Sequence, residues 1–404
     1  MIKRELYMSR IRPFIGNELV KVITGIRRSG KSVMLDLIKE ELRVSGVREE
    51  QFISYNFEDI RHANLCTAVA LHDEIIKQVS ALNGKVYFFI DEIQEVTSWE
   101  KCINSLRVEM DCDIYITGSN AKLLSGELAT YLGGRYVEFV IYPFSFVEFS
   151  ELYLSIYPGT TEVQRFQKYL TAGGMPYLAN LRYEEDPSRQ YLTDLFNSVQ
   201  FKDVVARNNV RDVDLLSRII AYVMANVGAT FSATSLSKFF KSEQRTASAE
   251  TILNYIKYCL DAYLFYQVKR QDLQGKQILA SNEKYYVADH GIREAVFGGN
   301  TRDINLIVEN IVYIELLRRG YTVTVGKAGD KEIDFVCTKR DEKLYIQVCY
   351  LLASEERIAR EFGAYSGIRD NYPKYVVSLD EFEMSRDGIK HRNIRDFLTS
   401  ENWG

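Results

Sequence analysis

Residues 21–33 decide the fold, and they read Lys-Val-Ile-Thr-Gly-Ile-Arg-Arg-Ser-Gly-Lys-Ser-Val. The short, β-branched run at the start of this stretch predicts a strand, and the apolar residues that follow Lys31 recur at helical spacing. Between them, Gly25 to Ser32 have the spacing G-x-x-x-x-G-K-S, in which a glycine-bearing loop turns its backbone N–H groups toward an anion. The order strand, loop and helix therefore predicts a loop that cradles the phosphates of a nucleotide.

The residues of this loop are the candidate ligands of ATP. Lys31 is expected to reach the β- and γ-phosphates, and the Ser32 hydroxyl is placed to bind Mg²⁺. The helix that begins at Lys31 would add the positive end of its dipole at the same place. The full candidate set is Gly25, Ile26, Arg27, Arg28, Ser29, Gly30, Lys31, Ser32 and Val33.

A second candidate element of the same site occupies residues 85–92, which read Lys-Val-Tyr-Phe-Phe-Ile-Asp-Glu. Five consecutive apolar residues predict a strand that is buried on both faces of a parallel sheet. Asp91 at its carboxyl end is predicted to hold Mg²⁺, usually through water, and Glu92 is predicted to polarise the attacking water as a general base. The alternative for an Asp-Glu pair is a solvated strand end.

Two further catalytic candidates lie at the ends of later predicted strands. Asn120 ends the segment Ile-Thr-Gly-Ser-Asn and is a candidate for sensing the γ-phosphate or orienting the water; a polar turn is the alternative. Arg135 precedes a predicted strand and is a candidate arginine finger, acting in cis or from a neighbouring subunit. A surface salt bridge is the alternative for Arg135.

The alternation of strands and helices over residues 1–150 predicts an α/β fold with a parallel sheet, with strands near 20–25, 52–57, 86–90, 113–117 and 136–142. Residues 151–210 are predicted to be mostly helical, with a break and a hinge at Ala-Gly-Gly-Met-Pro, 172–176. Residues 211–298 predict a winged helix, three helices followed by two wing strands. The polar face of the third helix carries Thr251, Asn254 and Lys257, which could enter a major groove of DNA.

Composition limits the partners and the compartment. The net charge is −4, and residues 241–276 hold six Lys or Arg against four acids. Contact with DNA must therefore come from a local patch of positive charge. The alternative is that the predicted winged helix is a protein-interaction module. The six cysteines are scattered without C-x-x-C pairs, and the start lacks the apolar core of a signal peptide. We therefore expect a cytoplasmic protein with no membrane partner.

The motifs, in their order, resemble the large prokaryotic family of predicted ATPases of the AAA+ superfamily, over nearly the whole chain. The resemblance is carried by the loop at 25–32, Ile-Asp-Glu-Ile-Gln at 90–94, Ile-Thr-Gly-Ser-Asn at 116–120, Gly-Gly-Arg at 133–135 before Pro-Phe-Ser-Phe-Val-Glu-Phe, and Ala-Gly-Gly-Met-Pro at 172–176. It implies an ATPase core at 1–150, a helical lid over the nucleotide at 151–210, a winged helix at 211–298 and a nuclease-related domain at 299–404.

The last block resembles the core of restriction-endonuclease-like enzymes, whose metal site uses a helix Glu, a strand Asp and a Glu-x-Lys on the next strand. Glu309 and Asp334 match the first two positions, but Gln347 and Cys349 stand where the Glu and the Lys are expected. Losing a carboxylate weakens Mg²⁺ binding, and losing the lysine removes the group that positions water. We therefore expect a degenerate site and a scaffold or docking role.

Together these residues predict an enzyme that binds and hydrolyses ATP with Mg²⁺, a switch or motor that couples its nucleotide state to DNA or to a protein partner through its C-terminal domains. One alternative is an ATP-regulated DNA nuclease. The other is a regulatory or signalling protein that turns nucleotide over slowly. If Arg135 acts between subunits, we expect a homo-oligomer that forms with nucleotide.

Overall fold

The computed structural model describes residues 2–124, 132–273, 275, 277–298 and 303–403. The chain divides into two compact units. The first comprises residues 1–142 together with 261–263, and the second comprises residues 143–260 and 264–404. Within the described ranges, no helix is both long enough and apolar enough to cross a membrane.

The first unit is built on a parallel sheet of five strands in the order β2-β3-β4-β1-β5. All neighbours pair in parallel, so the carboxyl ends of the strands lie along one edge. The predicted α/β fold is confirmed, and each predicted strand lies within two residues of an observed one. The strands are β1 Val20–Thr24, β2 Phe52–Asn56, β3 Val86–Asp91, β4 Cys112–Gly118 and β5 Tyr136–Val140.

Helices cover this sheet because their apolar residues recur on one face. In the helix that follows the loop, Met34, Leu35, Ile38 and Leu42 are buried at helical spacing. Strands β3 and β4 are buried over nearly their whole length, as expected for central parallel strands. The helices of this unit are α1 Glu5–Ile11, α2 Lys31–Val44, α3 Ala68–Val79 and α4 Trp99–Glu109.

A buried ion pair joins the neighbouring strands β1 and β4. The Lys21 ammonium contacts the Asp113 carboxylate, and both side chains have no exposed surface. The other oxygen of Asp113 accepts hydrogen bonds from the Gly16 N–H and the Tyr115 hydroxyl, at 2.7 and 2.8 Å. A buried charge is costly without its partner, so this pair penalises any sheet in which β1 and β4 are not adjacent.

The second unit begins with helices. Ser145 and Thr161 cap the first two, each with a Glu or Gln three residues later that returns the hydrogen bond. The helices are α5 Phe146–Ile156, α6 Glu162–Ala172, α7 Glu185–Ser198, α8 Val213–Ala225, α9 Ala233–Ser242 and α10 Ala249–Asp261, and a π-helical segment, Val199–Ala206, continues α7.

A mixed sheet of seven strands completes this unit, in the order β12-β11-β10-β9-β8-β6-β7. Strand β6 pairs with β7 and also, in parallel, with β8, so the sheet crosses the domain boundary that the sequence predicts at 298/299. The strands are β6 Phe265–Asp272, β7 Gln277–Val287, β8 Thr322–Ala328, β9 Lys331–Lys339, β10 Glu342–Val348, β11 Lys374–Ser378 and β12 Lys390–Asn393. The remaining helices are α11 His290–Phe297, α12 Ile304–Arg318, α13 Glu355–Gly363 and α14 Ile394–Thr399.

The glycine-rich break at 172–176 is tightly packed rather than an open hinge. Helix α6 ends at Ala172, and the Gly174 N–H donates to the buried Asp289 carboxylate at 2.7 Å. A Cβ added at Gly291 would lie 2.1 Å from the Ala172 carbonyl oxygen. Helix α6 therefore ends where the sequence predicts, but the contacts with Asp289 and Gly291 hold residues 172–176 in one packed position.

We expect Gly291→Ala to lower the free energy of unfolding by about 2–3 kcal/mol, because the methyl group has only backbone to displace. Gly363→Ala is the matched control, since a Cβ there meets only the end of the Lys331 side chain, at 3.5 Å. Thermal and urea unfolding of both variants measure the difference. Equal midpoints for the two would contradict the close approach at Gly291.

Candidate active site

Two glycines give the loop between β1 and α2 backbone angles that other residues rarely adopt. Gly25 has a φ of +135°, and a Cβ there would lie 2.3 Å from the Ile141 carbonyl oxygen. Gly30, with a φ of +100°, leads into α2. The buried Lys31 ammonium donates to the carbonyls of Gly25 and Ile26, both at 3.2 Å. The loop thus closes around its own lysine.

Asp91 lies at the end of β3, and the sheet brings it to the first turn of α2. The Ser32 hydroxyl donates to one Asp91 carboxylate oxygen at 2.6 Å, and the Thr117 hydroxyl at the end of β4 donates to the other. Burial raises the pKa of Asp91, and these two hydrogen bonds oppose that rise. The two residues predicted to hold Mg²⁺, Ser32 and Asp91, are therefore in direct contact.

Glu92 follows β3 with a φ of +53°, and its N–H donates to the Thr117 hydroxyl at 2.9 Å. The Lys31 ammonium lies 3.8 Å from one Glu92 carboxylate oxygen. The other oxygen accepts from the Gln94 amide and, at 3.1 Å, from the Ser119 hydroxyl. The left-handed backbone at Glu92 turns its carboxylate back toward the loop.

The environment of Glu92 favours its charged form. Burial by itself would raise the pKa of this carboxyl, but Lys31, Gln94, Arg27 and Ser119 together hold the pKa below its ordinary value. An ionised carboxylate can accept a proton from water, which is what a general base has to do.

Asn120 takes a different role from the neighbouring residues of its motif. Thr117 and Ser119 alternate onto one side of the strand end and contact Asp91 and Glu92. The buried Asn120 side chain accepts from the Lys122 N–H at 2.7 Å, at the start of a 3₁₀ turn. This contact favours the polar-turn alternative for Asn120.

Arg135 lies at the opposite edge of the sheet from the loop. Its side chain is exposed, and its carbonyl accepts from the N–H of Val20, the first residue of β1. The loop follows the other end of β1, a strand of five residues that spans about 13 Å. This position favours action on a neighbouring subunit over action in cis, and the role of Arg135 as an arginine finger stays a prediction.

Arg4 is a site residue that the sequence analysis missed. Its buried guanidinium donates to the Ser29 carbonyl of the loop at 2.9 Å and to the Tyr142 carbonyl at 2.8 Å. The same group lies over the Tyr7 ring, 4.6 Å from its centre. Arg4 thus ties the loop to the segment after β5, and no motif marks an arginine 25 residues away for this role.

We expect Arg4→Ala to weaken ATP binding by about tenfold, because two charge-assisted hydrogen bonds that hold the loop are lost. Lys3→Ala removes a neighbouring exposed cation and is the control. Titration with a fluorescent ATP analogue measures the affinity, and a thermal melt separates loop positioning from global stability. Unchanged affinity in a folded Arg4→Ala protein would contradict the positioning role.

The structure also brings together the candidates of the second unit. The Asp334 N–H donates to the Gln347 side chain at 3.2 Å, and Glu309 and Asp334 lie 3.3 and 3.8 Å from the Lys284 ammonium. Glu309, Asp334 and Gln347 line a cavity of about 560 Å³. Burial, followed by the charge of Glu309, raises the pKa of Asp334 to about 8. No sequence motif marks Lys284 as a member of this cluster.

Two family matches cover most of the first 303 residues. Residues 17–150 match the family described as AAA domain, and residues 163–303 match a domain of unknown function, DUF8612. An uncharacterized protein of Haemophilus influenzae is 38% identical over 399 residues, which is 98% of each chain. An uncharacterized protein of Methanocaldococcus jannaschii is 32% identical over 392 residues, 93% of this chain and 85% of its own.

One solved structure supports the fold. A Walker-type ATPase of Pyrococcus abyssi superposes with a TM-score of 0.50 and 13% identity, covering 73% of this chain and 95% of that one. At this identity the similarity concerns the fold alone. The chemistry of the site has to be judged from the residues described above.

Proposed function

This chain belongs to the same family as its Haemophilus and Methanocaldococcus relatives, and we propose that it hydrolyses ATP with Mg²⁺ at the sheet edge formed by Lys31, Ser32, Asp91 and Glu92. The chain itself carries an AAA domain followed by a DUF8612 region. The observation that carries this proposal is the contact between the Ser32 hydroxyl and the Asp91 carboxylate, 59 residues apart in sequence. The carboxylate of Glu92 follows at once, next to Lys31.

The polar side chains at this sheet edge fit the roles that Mg²⁺-dependent ATP hydrolysis needs. Ser32 and Asp91 offer the oxygen ligands that Mg²⁺ prefers, and when bound the ion would neutralise phosphate charge. The Ser29 hydroxyl is buried within the loop and has no hydrogen-bond partner among the described residues, as expected of a loop built for a polar ligand. Thr117 and Ser119 fix the two carboxylates from β4.

ATP binding requires Lys31 to change partners. Its ammonium donates to two loop carbonyls, and the phosphates would replace these neutral acceptors with charged ones. The same movement draws Lys31 from the carboxylate of Glu92. Glu92 is then left with its contacts to Gln94 and Ser119, which orient it toward water.

We expect Glu92→Gln to reduce ATP turnover by about a hundredfold to ten-thousandfold while ATP binding is retained, because the amide cannot take a proton from water. Lys31→Ala is expected to lose both binding and turnover. Glu50→Gln changes an exposed glutamate of the same unit and is the control. Phosphate release and equilibrium binding are measured in parallel; turnover at the normal rate in Glu92→Gln would show that the base is assigned wrongly.

We further propose that residues 213–287 form a winged helix. Helices α8, α9 and α10 precede the antiparallel pair β6–β7, which is the element order of that fold. An isolated bridge between Thr230 and Lys284, with the Phe231 N–H donating to the Glu283 carbonyl, joins the segment between α8 and α9 to β7. These contacts support the sequence interpretation of this segment.

The cations of this segment favour weak contact with DNA. Arg245 pairs with Asp214 and Arg270 with Glu332, so both are engaged within the protein. The exposed lysines that remain for a phosphate backbone are Lys238, Lys241, Lys257 and Lys269, within the described part of the segment. Few phosphate contacts predict modest affinity and a shallow dependence on salt.

We expect duplex DNA to raise ATP turnover about tenfold at low salt, which corresponds to ~1.4 kcal/mol of barrier. Lys257→Ala on α10 is expected to reduce the stimulation, and Lys77→Ala on α3 is the control, an exposed lysine outside the segment. Turnover is measured with and without DNA at several salt concentrations. The same rate with and without DNA would favour a protein partner for this segment.

The slow regulatory alternative differs in one kinetic step. If bound ADP leaves stoichiometrically and slowly, single-turnover hydrolysis is much faster than steady-state turnover, and the chain acts as a switch rather than a motor. The nuclease alternative depends on a metal at Glu309 and Asp334, and the contacts of Lys284 bear on it directly.

A further inference from the structure

Three carboxylates of the second unit converge on one ammonium. The Lys284 nitrogen on β7 lies 3.0 Å from Glu332 and 3.8 Å from Asp334, both on β9, and 3.3 Å from Glu309 on α12. The Lys284 side chain is 5% exposed. The Glu and Asp positions of the nuclease-like pattern therefore face a buried cation that belongs to the chain itself.

One oxygen of Glu309 and one oxygen of Asp334 already have other hydrogen-bond partners. The Tyr286 hydroxyl donates to the same Glu309 oxygen at 2.7 Å, and the Val348 N–H donates to the second oxygen of Asp334 at 2.9 Å. The backbone of Gly228 approaches so closely that a Cβ there would lie 2.9 Å from that Glu309 oxygen. A divalent ion needs several free oxygens within about 2.0–2.6 Å, and these contacts reduce the number that are free.

The chain itself supplies two cations, Lys284 and Arg270, to these carboxylates. Glu332 shares Lys284 with the other two carboxylates and also accepts from Arg270 at 2.5 Å. An ion held by Glu309 and Asp334 would share its space with the Lys284 ammonium, and the two cations would repel each other in a buried setting. Gln347, where a third carboxylate is expected, donates instead to Glu361 at 3.0 Å.

We propose that the Lys284 ammonium takes the place of the divalent cation that the nuclease-like pattern implies, so that the cluster of Glu309, Glu332 and Asp334 is closed to metal in the native chain and opens to Mn²⁺ when this ammonium is removed. The native cluster is then an ion-pair lock that holds β7 against β9 and α12. It does not serve metal-dependent cleavage of phosphodiesters, and it is independent of the ATP site.

The test measures Mn²⁺ binding to the nucleotide-free, full-length protein by electron paramagnetic resonance. Lys284→Ala is expected to gain one Mn²⁺ per chain, with an affinity at least tenfold tighter than that of any site in the wild type. The double variant Lys284→Ala, Asp334→Asn is expected to lose the gained ion. Lys327→Ala, an exposed lysine of strand β8 in the same sheet, is the control and is expected to behave as the wild type.

Two results would overturn the proposal. One is Mn²⁺ binding, or Mn²⁺-dependent DNA cleavage, in the wild type that disappears in Asp334→Asn, because the native cluster would then hold metal beside Lys284. The other is a folded Lys284→Ala protein that gains no ion. If Lys284→Ala does not fold, Mn²⁺ binding is compared between the wild type and Asp334→Asn. Equal binding by the two proteins supports the proposal. Binding by the wild type that Asp334→Asn lacks overturns it.

Discussion

The parallel pairing of β1 with β4, and of β4 with β3, is the constraint on which the nucleotide site depends. The register sets Ile23 beside Thr117 and Ile90 beside Ile116, so the loop and the acidic pair end at the same edge. The buried pair of Lys21 and Asp113 favours this strand order, because another neighbour for β1 would leave a charge without its partner. A charged contact in the body of the sheet thereby supports the chemistry at its edge.

Local patterns were sufficient to predict the loop, the strands and the residues at their ends. Ser32 and Asp91 meet because parallel strands share an edge, and that rule needs no coordinates. The same rule, applied to Arg135, disfavours action in cis, since this residue precedes a strand and the loop follows one. The role of Arg4 could not be predicted from the sequence, because its contacts with Ser29 and Tyr142 connect distant segments without a shared motif.

The second unit was harder to predict for a physical reason. Strands β6 and β7, which the sequence predicts as wing strands, leave an edge with which another strand, β8, pairs. The boundary drawn at 298/299 from the element pattern and the family resemblance therefore passes through one sheet. The degenerate pattern was recognised from its resemblance to a nuclease core, with Gln347 and Cys349 standing where a Glu and a Lys are expected. Lys284 lies 25 residues before Glu309 and outside that pattern, so only the folded chain brings it to the carboxylates.

The brace formed by Arg4 has a consequence for how the ATPase can be silenced. The loop is held partly by a short helix, α1, and by the residue before it, which touch neither phosphate nor metal. A protease that cut the chain directly after α1 would release this brace and leave every residue of the loop, the acidic pair and β4 intact. The catalytic groups would then be present but poorly organised, a loss that inspection of the motifs would not reveal.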